Sequence, residues 1–236
     1  MEEEHADMRI FVPQFYCGIF FRRQRKTKEQ VFMQTQIKSR ASLFSAKGIA
    51  QIGILSAIST VLMLIEIPLW FTPGFYKIDL SDVPVLIGSF AMGPMAGVVI
   101  ELIKNLLHIV LKGTMTGGVG ELANFLIGCS MVVPSAILYQ RRKSKKSALI
   151  GMAVGTVSMG IVGCLLNYYL LLPVYAAVFH MQLQALVQMG AAVNSSINSL
   201  ETFVILAVAP FNLLKGVLVS IITFLLYKHV SPILHR

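Results

Sequence analysis

The sequence predicts an all-α membrane protein, a bundle of six transmembrane helices with the N and C termini cytoplasmic, and three observations carry that prediction. The first is composition: 56% of the 236 residues are hydrophobic and 13% are charged. With a mean hydropathy of +0.73, that balance belongs to multi-pass membrane proteins rather than to soluble domains. The second is the recurrence of apolar stretches near the ~20 residues that a spanning helix needs. The third is where the basic residues fall. A net charge of +9 on one polar face would suggest nucleic acid. Here the densest run, Arg141-Arg-Lys-Ser-Lys-Lys, lies between two apolar segments, as a cytoplasmic loop does. The expected surroundings are therefore the lipid bilayer, with no nucleic-acid partner.

Residues 1–47 combine an acidic start (Glu2, Glu3, Glu4, Asp7), an apolar run at 10–21 too short to span, and a basic tract (Arg22, Arg23, Arg25, Lys26, Lys28). They read as a basic, poorly ordered cytosolic extension, and residues 48–236 as the transmembrane domain. A first helix is expected over 46–66. Gly53 and Ala57, four apart, share a face on which another helix can approach closely; packing inside the bundle is the plainer alternative. Residues 68–81 mix Trp70, Pro73, Gly74, Tyr76, Lys77 and Asp79, a structured interfacial loop that can serve as a lid. Ser81 or Asp82 is placed to cap a short second helix, with Pro84 in its first turn and Gly93-Pro94 at its end.

The third helix, about 94–111, carries Glu101 and Lys104 on one face as an internal ion pair, with His108 one turn further. The glycine turn at 113–120 does not match GxxxxGK[ST], so no nucleotide loop is expected. A fourth helix over about 119–139 has Glu121 and Asn124 near its outer end. The fifth runs from about 147 through Asn167-Tyr168-Tyr169 to 179, kinked or ended by Pro173. A polar connection at 182–199 leads to the sixth, about 200–227, with Pro210, Asn212 and Lys215. Keeping the basic segments inside puts the 76–82 loop, the glycine turn and the polar connection outside. A site built from that loop and the outer halves of the last three helices then opens outward.

The polar residues inside these helices are costly in lipid and so point to function. Asn212 and Lys215, three apart, share a face, and an inward lysine needs a carboxylate or a ring of acceptors. Asn167, followed by Tyr168, offers donors and acceptors that suit a heterocycle with alternating C=O and N–H groups; an interhelical hydrogen bond is the alternative. No nucleophile–base set, HExxH or paired-cysteine site is present, and Cys17, Cys129 and Cys164 lack CxxC spacing. No catalytic residue, metal or cofactor is expected. The rival from another class is an intramembrane enzyme using Glu101, Glu121 and His108.

The block Lys77-Ile-Asp-Leu-Ser-Asp-Val-Pro, with Gly93-Pro-Met-Ala-Gly, Glu101-Leu-Ile-Lys-Asn-Leu-Leu-His and Thr116-Gly-Gly-Val-Gly-Glu-Leu-Ala-Asn-Phe, closely resembles the riboflavin-binding S component of energy-coupling factor (ECF) vitamin transporters. The resemblance covers about 46–227. It implies a six-helix substrate-binding subunit of the bacterial cell membrane that takes riboflavin from outside. A transmembrane coupling subunit and two cytosolic ATPases would drive its delivery inward. It also implies that Asn167, Asn212 and Lys215 contact the vitamin, that Lys77, Ile78 and Asp79 lie in the lid, and that Gly53 and Ala57 face the coupling subunit. Family members favour alanines on that helix, so Gly53 is a departure. An S component for another vitamin of similar size is the alternative within transport.

Overall fold

In the computed structural model, which describes residues 45–114 and 116–234 and side chains as far as Leu226, nearly every element is helical. The expected extension lies almost wholly outside the described residues. In chain order the helices are α1 (Ala46–Leu64), α2 (Asp82–Met92), α3 (Pro94–Lys112), α4 (Val119–Arg141), α5 (Lys145–Leu166), α6 (Leu172–Val178), α7 (Leu183–Ala191), α8 (Leu200–Phe203) and α9 (Ala209–Leu234). A two-residue antiparallel ladder, β1 (Ile67–Pro68) with β2 (Lys77–Ile78), closes the base of the loop between α1 and α2. Ile67 pairs with Ile78 and Pro68 with Lys77.

Local chemistry fixes most of the boundaries. Ser45 caps α1 by accepting from the Gly48 amide at 3.1 Å, and Ser144 caps α5 by accepting from the Ser147 amide at 3.1 Å. Gly93 separates α2 from α3 with a φ of 106°, a conformation that favours glycine, and Pro94 then opens α3. Thr114 and Thr116 accept from the amides of Gly118 and Gly120 at 2.7 and 3.0 Å, satisfying donors at the start of α4. Ser81 behaves differently from the expectation of a cap. It stands before α2, but its hydroxyl donates back to Asp79.

Among the described residues, five helical stretches are long and apolar enough to cross a membrane: Ala46–Leu64, Pro94–Lys112, Val119–Arg141, Lys145–Val178 and Leu200–Leu226. Their outward side chains are largely aliphatic, including Ile54, Ile58, Val157, Ile161, Ile205 and Ile221. The short α2 is different, because every residue but Ala91 is buried and it packs against α1, α3, α4 and α9. It forms the centre of the bundle, where Val85, Leu86 and Phe90 meet Ile100, Met131 and Val132. Between α4 and α5 the backbones nearly touch: Ser135 Oγ donates to Gly151 O at 3.0 Å. A Cβ at Gly151 would lie 2.7 Å from the Ser135 carbonyl oxygen, so only glycine permits this crossing.

Pro173 and Pro210, in the last two long helical stretches, neither end them nor leave them regular. A π turn, Asn167–Leu171, precedes Pro173, and another, Val204–Val208, precedes Pro210. Proline lacks an N–H and its ring crowds the carbonyl one turn back. Widening the preceding turn by one residue accommodates it, with the Leu172 N–H bonded to Asn167 O and the Ala209 N–H to Val204 O. The expected interruption at Pro173 is thereby absorbed. The polar connection at 182–199 also holds a helix, α7, that its composition did not announce.

Candidate ligand-binding site

A cavity of about 560 Å³ opens between the α1–α2 loop, α3, α4, the first π turn and α9. Its size lies within the ~300–1,000 Å³ of small-molecule sites. Amides and charges line it, Asn124, Asn167, Asn212, Lys215 and Asp79, together with the aromatic rings of Phe75, Tyr76, Tyr175 and Phe211. Lys77 and Glu121 also reach it. Two expected site residues do not: Ile78 is buried in the ladder at 3% exposure, and Tyr168 packs among apolar side chains with its ring edge-on to Tyr169.

The loop is tied over the cavity at several points. Phe75 stacks on Tyr175 at 5.3 Å between ring centres. The Tyr76 hydroxyl donates to Asn167 Oδ1 at 2.6 Å, while Asn167 Nδ2 donates to Gly163 O at 2.7 Å. Tyr76 is half-buried overall and lines the cavity. Burial of its phenol, with smaller contributions from Cys164 and Tyr175, pushes the pKa up, so it remains a neutral donor. At the mouth, Glu66 bridges Lys77 at 2.6 Å and Lys112 at 2.7 Å. Partial burial pushes the Glu66 carboxyl up, but the hydrogen bonds and charges of the two lysines outweigh it and hold it below the usual range.

The π turn that Pro173 requires begins at Asn167, and Asn167 points inward at 3% exposure. On α9, Asn212 donates from Nδ2 to Val208 O at 2.9 Å. That leaves its Oδ1 for a ligand donor. Gly163 makes room for it, since a Cβ there would lie 2.7 Å from Asn212 Nδ2. Lys215 is not a free cation: its Nζ lies 3.0 Å from Asp79 Oδ2, 3.2 Å from Asp82 Oδ2 and 3.3 Å from Asn124 Oδ1. His108 is 5% exposed, between Glu121 at 3.6 Å and Glu66 at 3.9 Å, and neither ring nitrogen makes a hydrogen bond among the described residues.

Residues 47–227 match the family model described as ECF transporter, substrate-specific component. The chain belongs to that family. This substrate-specific component is therefore a multi-pass transport protein rather than an enzyme. Its Glu101, proposed above for a rival chemistry, is fully enclosed and does not line the cavity. It is 36% identical over 190 residues to a riboflavin transporter, RibU, of Staphylococcus aureus (strain TCH60), covering 80% of this chain and 93% of that one. It is 35% identical over 187 residues to the riboflavin transporter FmnP of Bacillus subtilis (strain 168), covering 79% and 93%. A solved structure of the S component of a bacterial ECF transporter superposes with a TM-score of 0.61 at 36% identity, covering 80% of this chain and 97% of that one.

The cavity is also lined by Met63, Glu66, Lys112, Tyr175 and Phe211, which helical spacing and polarity do not single out. Phe211 adjoins Asn212, and Tyr175 follows Pro173 by two. Their neighbourhood was the signal, but an aromatic in an apolar helix looks the same whether it faces lipid or ligand.

Proposed function

We propose that this substrate-specific component binds riboflavin in the cavity under the α1–α2 loop and delivers it across a bacterial cell membrane. The observation that carries the reading is that inward-facing amides and aromatic rings line one cavity together. A flat tricyclic ring with an edge of alternating C=O and N–H groups suits such a lining, with Asn167 and Asn212 at its polar edge and Phe75, Tyr76, Tyr175 and Phe211 over its faces. Lys77, Asp79, Glu121, Asn124 and Lys215 complete the polar lining, while Ile78 and Tyr168 support it from behind. The names of the two relatives above point to the same vitamin.

The short α2, sheathed by neighbouring helices, makes the sixth crossing together with the loop that precedes it. Both termini then lie in the cytoplasm with the Arg141-to-Lys146 loop and the basic extension, and the cavity opens outward. The α1 face carrying Gly53 and Ala57 is exposed, with nothing within 4 Å of a Cβ at Gly53, and it faces a transmembrane coupling subunit served by two cytosolic ATPases. The 68–81 loop acts as the lid. Purifying the full chain in detergent and recording its visible spectrum tests the reading. A co-purifying flavin spectrum, or one regained on adding riboflavin and desalting, is expected. A preparation that stays colourless after both steps contradicts it.

A further inference from the structure

Three carboxylates and two ammonium groups form an unbroken row inside the bundle. Lys215 Nζ is shared between Asp79 at 3.0 Å and Asp82 at 3.2 Å. Asp82 holds Lys104 at 2.6 Å through its other oxygen, and Lys104 lies 2.5 Å from Glu101. Asp82, Lys104 and Glu101 are each 0% exposed and none lines the cavity. At the other end, Asp79 belongs to the loop over the cavity, where its Oδ1 accepts from both the amide and the hydroxyl of Ser81. The row thus runs from α3, through α2 and α9, to the closing loop.

In an alternating row, each ion divides its attraction between its two neighbours, so strengthening one contact weakens the next. We infer that Glu101 and Lys104, which touch no ligand, are positioning residues of the cavity. Through Asp82 they set how firmly Lys215 holds Asp79, and so how tightly the loop is anchored and how long a bound molecule stays. The effect must alternate in sign along the row. Neutralising Glu101 turns Lys104 wholly toward Asp82, which then competes less for Lys215, and Lys215 settles on Asp79. Removing Lys104 as well leaves Asp82 with Lys215 alone, and Asp82 draws it away from Asp79. Simple disruption of packing would instead loosen the loop in both cases.

The test needs no ligand. Amide hydrogen exchange is followed over residues 77–81 in the full-length protein in lipid nanodiscs, with residues 141–147 as an unaffected reference. Glu101→Gln should slow exchange at 77–81 by about threefold, and Glu101→Gln/Lys104→Met should speed it by about threefold relative to the natural protein, a modest coupling for groups in one ion network. The pair is removed as a neutral unit so that no new charge is stranded. If the double variant does not fold, Glu101→Gln alone decides: slower exchange supports the inference, and equal or faster exchange overturns it. With both variants in hand, shifts in the same direction, or none, overturn it. A second arm, riboflavin dissociation followed by flavin fluorescence, rests on the proposed function and should move in the same two directions. A natural protein that binds no riboflavin would defeat that reading and leave the exchange result standing.

Discussion

Asn212 and Lys215 look equivalent in the sequence, three apart on one inward face, but their surroundings make them respond differently to removal. Lys215 bridges Asp79 and Asp82, so Lys215→Ala strands the buried Asp79 carboxylate and leaves Asp82 to Lys104 alone; breaking a buried pair costs about 3–5 kcal/mol in comparable cases. Among the described residues, the Asn212 side chain hydrogen-bonds only to the preceding π turn, at Val208 O. We therefore expect Lys215→Ala to lower the thermal unfolding temperature in detergent without ligand and Asn212→Ala to leave it nearly unchanged; equal behaviour would contradict the ion row. This distinction was not legible beforehand. Helical spacing tells which residues share a face, so Asn212 with Lys215 and Glu101 with Lys104 were readable, but Lys215 meets Asp79 across 136 positions. Nothing in local pattern chooses among distant partners.

At the scale of elements, the cavity depends on close helix crossings as much as on its polar residues. Gly163 on α5 faces Asn212 on α9, and a Cβ there would intrude to 2.7 Å from the amide nitrogen. Gly163→Ala is expected to weaken riboflavin binding by about tenfold, roughly 1.4 kcal/mol, by turning the Asn212 amide. An equilibrium titration checks this, and unchanged affinity would mean that Asn212 does not contact the ligand. The spans over 94–112 and 119–141 were readable to within two residues because Gly93-Pro94 and the glycine turn punctuate them chemically. The π turns were not. Pro173 and Pro210 announce a disturbed helix, but whether it breaks, kinks or widens depends on what packs against it, here the two π turns facing one another.

For the whole molecule, binding and transport reside on different faces. Ala57 is exposed on α1, away from the cavity, so Ala57→Trp should bind riboflavin normally yet lose uptake in a reconstituted complex. Normal uptake would show that the coupling subunit sits elsewhere. The multi-pass helical class followed from hydropathy alone, whereas the central place of α2 followed from no single segment, since its 11 residues are too few to read as a span. Whether this cavity holds riboflavin is decided by titrating the purified protein with the vitamin and following flavin fluorescence, beside Asn212→Ala. Saturable quenching at one vitamin per chain is expected. Affinity should be one to two decades weaker in the variant, the loss expected when a buried polar group of the ligand is left unpaired, about 1–3 kcal/mol. No quenching in the natural protein, or identical curves for the two, would contradict riboflavin binding in this cavity.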